Sequence, residues 1–304
     1  TFEYNFYKKN FKKLKKKIFI SIKENILYAA DNLGYIYAID LNQKSLIWAK
    51  NFGIPFRSNI KIVDDQIFLA NQDNLIYSVD LKTGNKKWQF ATAVNLLKID
   101  FINNFAIDER NNLVFFLNTS GELYSINYLT QNVNWILNFK NVSFGGDKNI
   151  FDSNPIVIKN NSLVITTNRS ILSFDSMKSS RNWLFSSNTN LKPIVTDNHT
   201  FIFTKYNLLI CIENKNGKVV WSKNIYNGLE KKIKNKIGIF YDLKMVNNEV
   251  NLFSKNGYLL TFNYKNGNRK YIKKISKNGI SSKVFFLNNY MYLIDGDNKL
   301  LKFN

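Results

Sequence analysis

The chain has very little of the residues that build disulfide scaffolds and metal centres. It contains one cysteine, one histidine and three prolines among 304 residues. A single cysteine excludes an intrachain disulfide, and one histidine cannot build a multi-histidine zinc site. No run of 18 apolar residues is present, so no segment predicts a membrane-spanning helix. No low-complexity linker interrupts the chain, which predicts a single domain over residues 1–304.

Motifs that carry catalysis are also missing. There is no Gly-x-Ser-x-Gly elbow and no glycine-rich phosphate loop. Gly145-Gly146-Asp147 is too short for a phosphate loop and is interpreted as a turn that connects two of the repeat units described below. The lone His199 stands beside Asp197 at an expected exposed turn. The sequence therefore predicts a protein that is not an enzyme and that uses no metal or cofactor.

Negatively charged residues are scarce. The 43 basic residues outnumber the 22 acidic ones and give a formal net charge of +21. The basic residues are mostly lysine, and the abundance of Lys, Asn, Ile and Phe indicates an AT-rich genome. The densest run, Lys8 to Lys17, is interpreted as a solvated edge strand, with contact to an anionic membrane surface as an alternative. No recognition helix accompanies the charge, so no specific nucleic-acid partner is predicted.

The most informative feature present is a repeat marked by aromatic residues. All five tryptophans occupy one slot, with spacings of 40, 47, 48 and 38 residues, and a tyrosine fills the slot 50 residues later. A period of about 40–50 residues is typical of the blades of a β-propeller. The slot residues are Trp48, Trp88, Trp135, Trp183, Trp221 and Tyr271.

Further columns keep register with the aromatic slot. Eight residues before the slot stands a side chain that can accept hydrogen bonds from the backbone of the following turn. Ten residues before the slot stands a small residue, which predicts close packing by a neighbouring sheet. Glycine stands four residues before the slot in three repeats and favours a turn with positive φ. The acceptor column is Asp40, Asp80, Asn127, Asp175, Glu213 and Asn263; the small column is Ala38, Ser78, Ser125, Ser173, Cys211 and Thr261; the glycines are Gly84, Gly217 and Gly267.

Each repeat predicts four short antiparallel strands, since two β-rich runs flank a tight turn before each acceptor. A seventh repeat begins near Ile280 and lacks a last strand. Phe6 lies 42 residues before Trp48, so residues 2–11 are predicted to complete the seventh blade and close the ring. We therefore expect an all-β propeller of seven blades, with eight as the alternative if the native chain extends upstream. Residues 226–237 are the best candidate for a non-strand insertion.

The pattern small–x–Asp–x–x–Thr–Gly–x–x–x–Trp resembles the repeat of quinoprotein-like propellers. The quinone-dependent alcohol dehydrogenases among them use an adjacent cysteine pair and bind Ca²⁺ through acidic residues. This chain has one cysteine and no such site, so their activity is not transferred. A quinone- or small-ligand-binding propeller and a general interaction module remain alternatives.

Two segments, Gly53-Ile-Pro-Phe-Arg-Ser and Ser120-Gly-Glu-Leu-Tyr-Ser, resemble stretches of the BamB family and its alphaproteobacterial relatives. These are the propeller lipoproteins of outer-membrane β-barrel assembly. The resemblance covers nearly the whole chain and implies a non-catalytic scaffold in the periplasm, with BamA and unfolded outer-membrane proteins as partners. Because the chain begins at Thr1, we expect a processed form, whose full-length version is attached to the inner leaflet of the outer membrane.

The resemblance also implies a partner-binding site. In the BamB family, an inter-blade loop with the sequence apolar–x–apolar–Arg contacts a periplasmic domain of BamA, and Ile54, Phe56 and Arg57 match this pattern. Acidic contacts follow in the next inter-blade loop, where Asp100 is the only carboxylate. An exposed mixture of apolar residues and arginine suits an interface hot spot. The alternative is that Arg57 only braces its loop.

Overall fold

The computed structural model describes residues 13–14, 17–93, 104–139, 153, 155–167, 169–189 and 191–304. The chain divides into two compact units, Thr1–Pro155 and Ile156–Asn304, which we call unit 1 and unit 2. Both consist of antiparallel sheets in which strands that follow each other in sequence are neighbours. The predicted N-terminal strand over residues 2–11 and the 145–147 turn lie outside the described residues.

Unit 1 contains three four-stranded sheets, which we call blades 1, 2 and 3. Blade 1 is β1 (Ile18–Lys23), β2 (Ile26–Asp31), β3 (Tyr35–Asp40) and β4 (Ser45–Asn51); blade 2 is β5 (Lys61–Val63), β6 (Gln66–Ala70), β7 (Leu75–Asp80) and β8 (Lys86–Ala91); blade 3 is β9 (Asn104–Asp108), β10 (Leu113–Leu117), β11 (Glu122–Asn127) and β12 (Val133–Asn138).

Unit 2 contains blades 4 to 7 and one short helix. Blade 4 is β13 (Val157–Lys159), β14 (Ser162–Thr166), β15 (Ile171–Asp175) and β16 (Arg181–Phe185); blade 5 is β17 (Ile194–Val195), β18 (His199–Phe203), β19 (Leu208–Glu213) and β20 (Val219–Asn224); α1 is Lys231–Ile237; blade 6 is β21 (Phe240–Val246), β22 (Glu249–Ser254), β23 (Tyr258–Asn263) and β24 (Arg269–Lys274); blade 7 is β25 (Phe285–Leu287), β26 (Tyr290–Ile294) and β27 (Leu300–Phe303).

The predicted fold class, an all-β propeller of seven blades, is confirmed. Six sheets have four strands, and the described residues of blade 7 supply three, as expected for a repeat that lacks its last strand. The helix α1 lies within the predicted insertion at residues 226–237. The completion of blade 7 by residues 2–11 stays a prediction, because those residues are not described.

The middle strands of a blade are apolar on both faces because each face packs on a neighbouring blade. All five residues of β6 are buried. Ile67 and Leu69 pack with residues of blade 1, whereas Phe68 and Ala70 pack with residues of blade 3. Successive side chains of a strand point to opposite faces, so one short apolar run supplies two separate cores.

The small column is explained by cross-strand pairing. Each small residue lies directly opposite the aromatic slot residue on the last strand, as Ser78 does with Trp88 and Cys211 does with Trp221. The register then shifts by one residue, which is a β-bulge that turns the aromatic ring toward the next blade. The small residue therefore makes room for the ring within its own blade, and it also packs on the neighbouring blade as its column suggested, since Cys211 shares a core with Leu243 and Val250 of blade 6.

The acceptor column bonds the turn that follows it, as expected. The Oδ1 of Asp80 accepts the backbone N–H groups of Lys82 and Thr83 at 3.1 and 2.8 Å. Four residues before the slot the backbone is left-handed in all six repeats, including the three without glycine. The left-handed residues are Lys44 (φ 55°), Gly84 (70°), Gln131 (65°), Ser179 (56°), Gly217 (74°) and Gly267 (70°).

The turn glycines also receive the tryptophan of the preceding blade. The indole N–H of Trp183 donates to the carbonyl oxygen of Asn214 at 2.9 Å, and that of Trp221 donates to Tyr264 at 3.0 Å. A Cβ placed on Gly217 would lie 2.5 Å from the Trp183 side chain. Glycine is thus required here twice, for its positive φ and for the approach of the indole.

Trp88 shows what happens when the receiving turn has no glycine. Its partner turn in blade 3 carries Gln131 at the position where the turns that receive Trp48, Trp183 and Trp221 have glycine. Among the described residues, the buried indole N–H of Trp88 has no hydrogen-bond partner. Ring packing therefore joins blade 3 to this part of blade 2, since Phe68 contacts both Trp88 and Tyr128.

Asp80 should make folding stability depend on pH in the acidic range. Its pKa lies below the ordinary value of 3.8, first because it accepts the Thr83 N–H and then because of the Thr83 hydroxyl, the Lys82 N–H and the Lys87 ammonium. A lowered carboxyl pKa stabilises the fold above the unfolded-state pKa, and this contribution is lost as pH falls through the folded-state value. We expect Asp80→Asn to be less stable than the wild type at neutral pH, with the difference decreasing as pH falls through the folded-state pKa, which lies below 3.8. Urea midpoints measured across pH test this, and parallel curves for the two proteins would refute it.

Candidate partner-binding site

The segment 54–57 connects blade 1 to blade 2 and runs between the two hairpin turns of these blades. The N–H of Phe56 donates to the carbonyl of Asp31, in the β2–β3 turn, at 3.2 Å. The carbonyl of Pro55 accepts the N–H of Gln72, in the β6–β7 turn, at 2.9 Å. The N–H of Arg57 donates to Ala70 at 3.0 Å. Because backbone bonds tie it to both blades, the segment has a defined conformation.

Close backbone packing at Gly34 holds the same segment. Gly34 has φ +88°, and a Cβ there would lie 2.9 Å from both the backbone N and the backbone O of Ile54. The N–H of Phe52 donates to the carbonyl of Gly34 at 2.8 Å. Any side chain at position 34 would therefore push the 54–57 segment away from the blade.

Phe56 is the anchor of the segment rather than its exposed tip. Its side chain is fully buried and packs edge-on against Phe52 and Tyr77, with ring centroids 5.7 and 6.0 Å apart. A partner in contact with this surface would meet the residues on either side of Phe56. The sequence pattern predicted three contact residues, and one of them, Phe56, is part of the core.

Ile54 and Arg57 are both half-buried and flank this anchor. Arg57 Nη1 donates to the carbonyl of Phe56 at 3.4 Å, so the guanidinium lies back along its own loop. A large apolar residue and a guanidinium therefore stand on a fixed backbone at one edge of unit 1. Such a pair can bury apolar area and bond a carboxylate on a partner at the same time.

A further column of polar residues builds the turns beneath this site, and the sequence patterns did not single it out. Asp31 and Asn71, seventeen residues before the slot, each accept two backbone N–H groups of the hairpin turn. The Tyr37 hydroxyl donates to Asp31 Oδ2, and Asn71 Nδ2 donates to the Tyr77 hydroxyl. Counting back seventeen positions from the first three tryptophans would have revealed Asp31, Asn71 and Asn118, together with Tyr37, Tyr77 and Tyr124 eleven positions back.

Asp100, the predicted acidic contact, lies outside the described residues. Ala93, the last described residue before this loop, accepts a hydrogen bond from Asn74 Nδ2 at 2.9 Å, and the same Nδ2 donates to Thr119 Oγ1 at 3.0 Å. Glu122, within the Ser120–Ser125 segment that resembles the BamB family, is a half-buried carboxylate at the start of β11 in blade 3. It accepts the Tyr124 hydroxyl at 2.8 Å, and burial together with this bond raises the pKa of Tyr124 to about 12.

The described residues form no candidate metal centre. They contain no group of three or more His, Cys, Asp or Glu side chains that could hold a metal ion. His199 begins β18 and is half-buried, rather than lying in an exposed turn. Cys211 is buried, and desolvation raises the pKa of its thiol to about 12, which makes it a poor nucleophile at neutral pH. Among the helices of the described chain, none is long and apolar enough to cross a bilayer.

Comparison with known proteins supports the same family as the sequence segments did. The family model described as "Outer membrane protein assembly factor BamB" matches residues 8–223. The structure of BamB from Moraxella catarrhalis is similar with a TM-score of 0.73 and 14% identity, over 94% of this chain and 83% of that chain. The computationally designed Ika8 protein is similar with a TM-score of 0.52 and 11% identity, over 93% and 94% of the two chains.

At these identities the solved structures show the fold alone, and a search of curated proteins finds no match. The family model carries more weight because it covers well over half of the chain, including the 54–57 segment and the first five aromatic slots. This chain therefore belongs to the BamB family of outer-membrane protein assembly factors.

Proposed function

We propose that the protein is a non-catalytic scaffold of outer-membrane β-barrel assembly that binds a BamA-type partner through the 54–57 segment. The observation that carries this proposal is the pairing of Ile54 and Arg57 on a backbone fixed between two blades. A segment already held in one conformation loses little entropy on binding, so its contacts contribute more fully to affinity.

In this proposal the residues have distinct roles. Ile54 supplies apolar contact area, and Arg57 donates hydrogen bonds to a carboxylate or backbone carbonyl of the partner. Phe56 holds the segment in place through its buried side chain. Asp100 contributes an acidic contact from the next inter-blade loop. We place the protein in the periplasm, with its full-length form attached to the inner leaflet of the outer membrane, on the strength of its family membership. Unfolded outer-membrane proteins are the second class of partner.

Arg57→Ala is expected to weaken binding to the periplasmic domains of a BamA-type protein by roughly tenfold or more, as is typical of an interface arginine. The unfolding midpoint should change little, because Arg57 is half-buried and the core contacts of Phe56, which anchor the segment, are kept. Isothermal titration calorimetry measures the affinity, and thermal unfolding measured by circular dichroism checks the fold.

Arg110→Ala is the matched control. Arg110 lies in the same unit, in the β9–β10 turn, and its side chain is 67% exposed. Its replacement removes the same charge from a different edge of the blades, so the binding of this variant should equal that of the wild type. Equal affinity for Arg57→Ala and wild type would remove Arg57 from the site. Equal loss in both variants would show that the affinity follows net charge rather than the segment.

A further inference from the structure

Unit 2 contains a basic depression that the 54–57 segment does not involve. It has a volume of about 590 Å³ and lies between the end of α1, the β22–β23 turn and the stretch that follows β24. Four lysines line it, and its remaining lining is polar or aromatic without a carboxylate. We call it the four-lysine depression: Lys236, Lys255, Lys274 and Lys277.

The backbone around the four-lysine depression is held together by hydrogen bonds. Asn256 Nδ2 donates to the carbonyl of Lys236 at 3.0 Å, and the N–H of Lys255 donates to Ile239 at 2.8 Å. The carbonyl of Lys255 in turn accepts the N–H of Ile280 at 2.9 Å. The helix end and both loops are therefore fixed to one another, and the fold itself brings the lysines together.

The charges of the depression are not neutralised within the described chain. None of the four lysines forms an ion pair with a described carboxylate, and Lys274 Nζ lies 4.9 Å from the ring centroid of Tyr258. The neighbouring Asp295 and Asp297 are bonded instead to Asn278 and to backbone N–H groups. Helix α1, whose Lys236 lines the depression, also carries Lys231, Lys232 and Lys234 against one carboxylate at its start, Glu230.

Exposed apolar side chains accompany this charge. Ile239, directly after α1, is 73% exposed, and Ile233 on the helix is 37% exposed. Lysine ammonium groups act as point charges on flexible stems, which suits a surface of many phosphates better than one bidentate ligand. Basic residues with an exposed apolar residue among them are typical of a surface that lies on anionic lipid.

We propose that the four-lysine depression and α1 bind the phosphate headgroups of an anionic membrane, with Ile239 inserted at the headgroup level. This contact is independent of the 54–57 segment and of the Lys8–Lys17 run, which lies largely outside the described residues. Nucleic acid is a weaker candidate, because the lining offers no arginine fork and its only aromatic ring, Tyr258, is covered by Lys274. The surface would orient the propeller on a membrane to which it is otherwise tethered.

The test is co-sedimentation of the protein with phosphatidylcholine vesicles that contain or lack about 30% phosphatidylglycerol. The wild type should bind the anionic vesicles and release them as salt increases. A variant with all four lysines of the depression changed to glutamine should bind roughly tenfold more weakly or worse. Ile239→Ser should weaken vesicle binding with no change in net charge.

The control variant changes four exposed lysines outside the depression, each in the turn before the last strand of a blade, to glutamine. It has the same net charge as the depression variant, so it should keep most of the wild-type binding. Equal losses in both variants would overturn the proposal, since net charge alone would then explain the binding. The control positions are Lys82, Lys178, Lys215 and Lys265.

Two competitors separate a lipid surface from other anions. Millimolar inorganic phosphate should leave vesicle binding unchanged, and displacement by it would show a site for free phosphate instead. Duplex DNA should bind the depression variant and the control variant equally weakly. Preferential loss of DNA binding in the depression variant, with vesicle binding intact, would reassign the surface to nucleic acid.

Discussion

Trp183→Ala is expected to destabilise the protein by about 3–5 kcal/mol, the range typical of removing a large buried aromatic side chain. The indole is 5% exposed, lies opposite Ser173 within its blade and packs on Gly217 of blade 5. Alanine would leave a cavity between two blades and would also leave the carbonyl of Asn214 without its 2.9 Å indole donor. The loss therefore combines apolar burial, a cavity and one hydrogen bond.

Urea unfolding followed by circular dichroism measures this loss. Trp183→Phe separates its parts, because it keeps a ring in the slot but removes the N–H donor. We expect Trp183→Phe to fall between the wild type and Trp183→Ala. A decrease of less than about 1 kcal/mol for Trp183→Ala would contradict the role of the slot residue in joining blades 4 and 5.

Gly257→Ala is expected to cost about 2–5 kcal/mol, from left-handed strain and from overpacking together. Gly257 has φ +82°, and a Cβ there would lie 2.2 Å from the carbonyl oxygen of Ser276. This oxygen belongs to the backbone of the segment that leaves β24, and the N–H groups of Ile275 and Ser276 are bonded to Gly257 itself. The neighbour cannot move aside without breaking those bonds.

Gly228→Ala is the matched control, since it isolates the strain from the overpacking. Gly228 lies in the same unit with φ +71° and has no atom within 4 Å of a Cβ position. It should cost only about 1–2 kcal/mol. Equal unfolding free energies for the two alanine variants would show that the loop after β24 moves freely, against the geometry of its bonds to Gly257.

The fold was predictable because its signals repeat. A single Trp, Asp or small residue would indicate little, but six copies in register specify a hairpin, a turn and a cross-strand pair at once. The register also predicted the incomplete seventh blade and the insertion that contains α1. What periodicity did not show was a second contact of the small column: Ser78 lies directly opposite the tryptophan of its own strand pair.

The candidate site was harder to predict, because it lies where the repeats differ. An apolar–x–apolar–Arg pattern cannot show which apolar residue faces the core, and only the T-shaped packing of Phe56 on Tyr77 decides it. The four-lysine depression is invisible in sequence for another reason. Its lysines come from three separate segments, and in a chain with so many lysines no local run marks them.

The docking of each tryptophan on the next blade also bears on how such proteins change in length. At the junctions of Trp48, Trp183 and Trp221, one blade provides the ring and the following blade provides the glycine turn that receives it, so these junctions use the same two halves. Gain or loss of a whole repeat keeps each such ring matched to a turn of the same kind. A point change at a junction can remove half of this match, as the indole N–H of Trp88 opposite Gln131, which has no hydrogen-bond partner among the described residues, illustrates. Duplication and deletion of blades are therefore open evolutionary routes in this architecture, while drift at the slot itself is constrained.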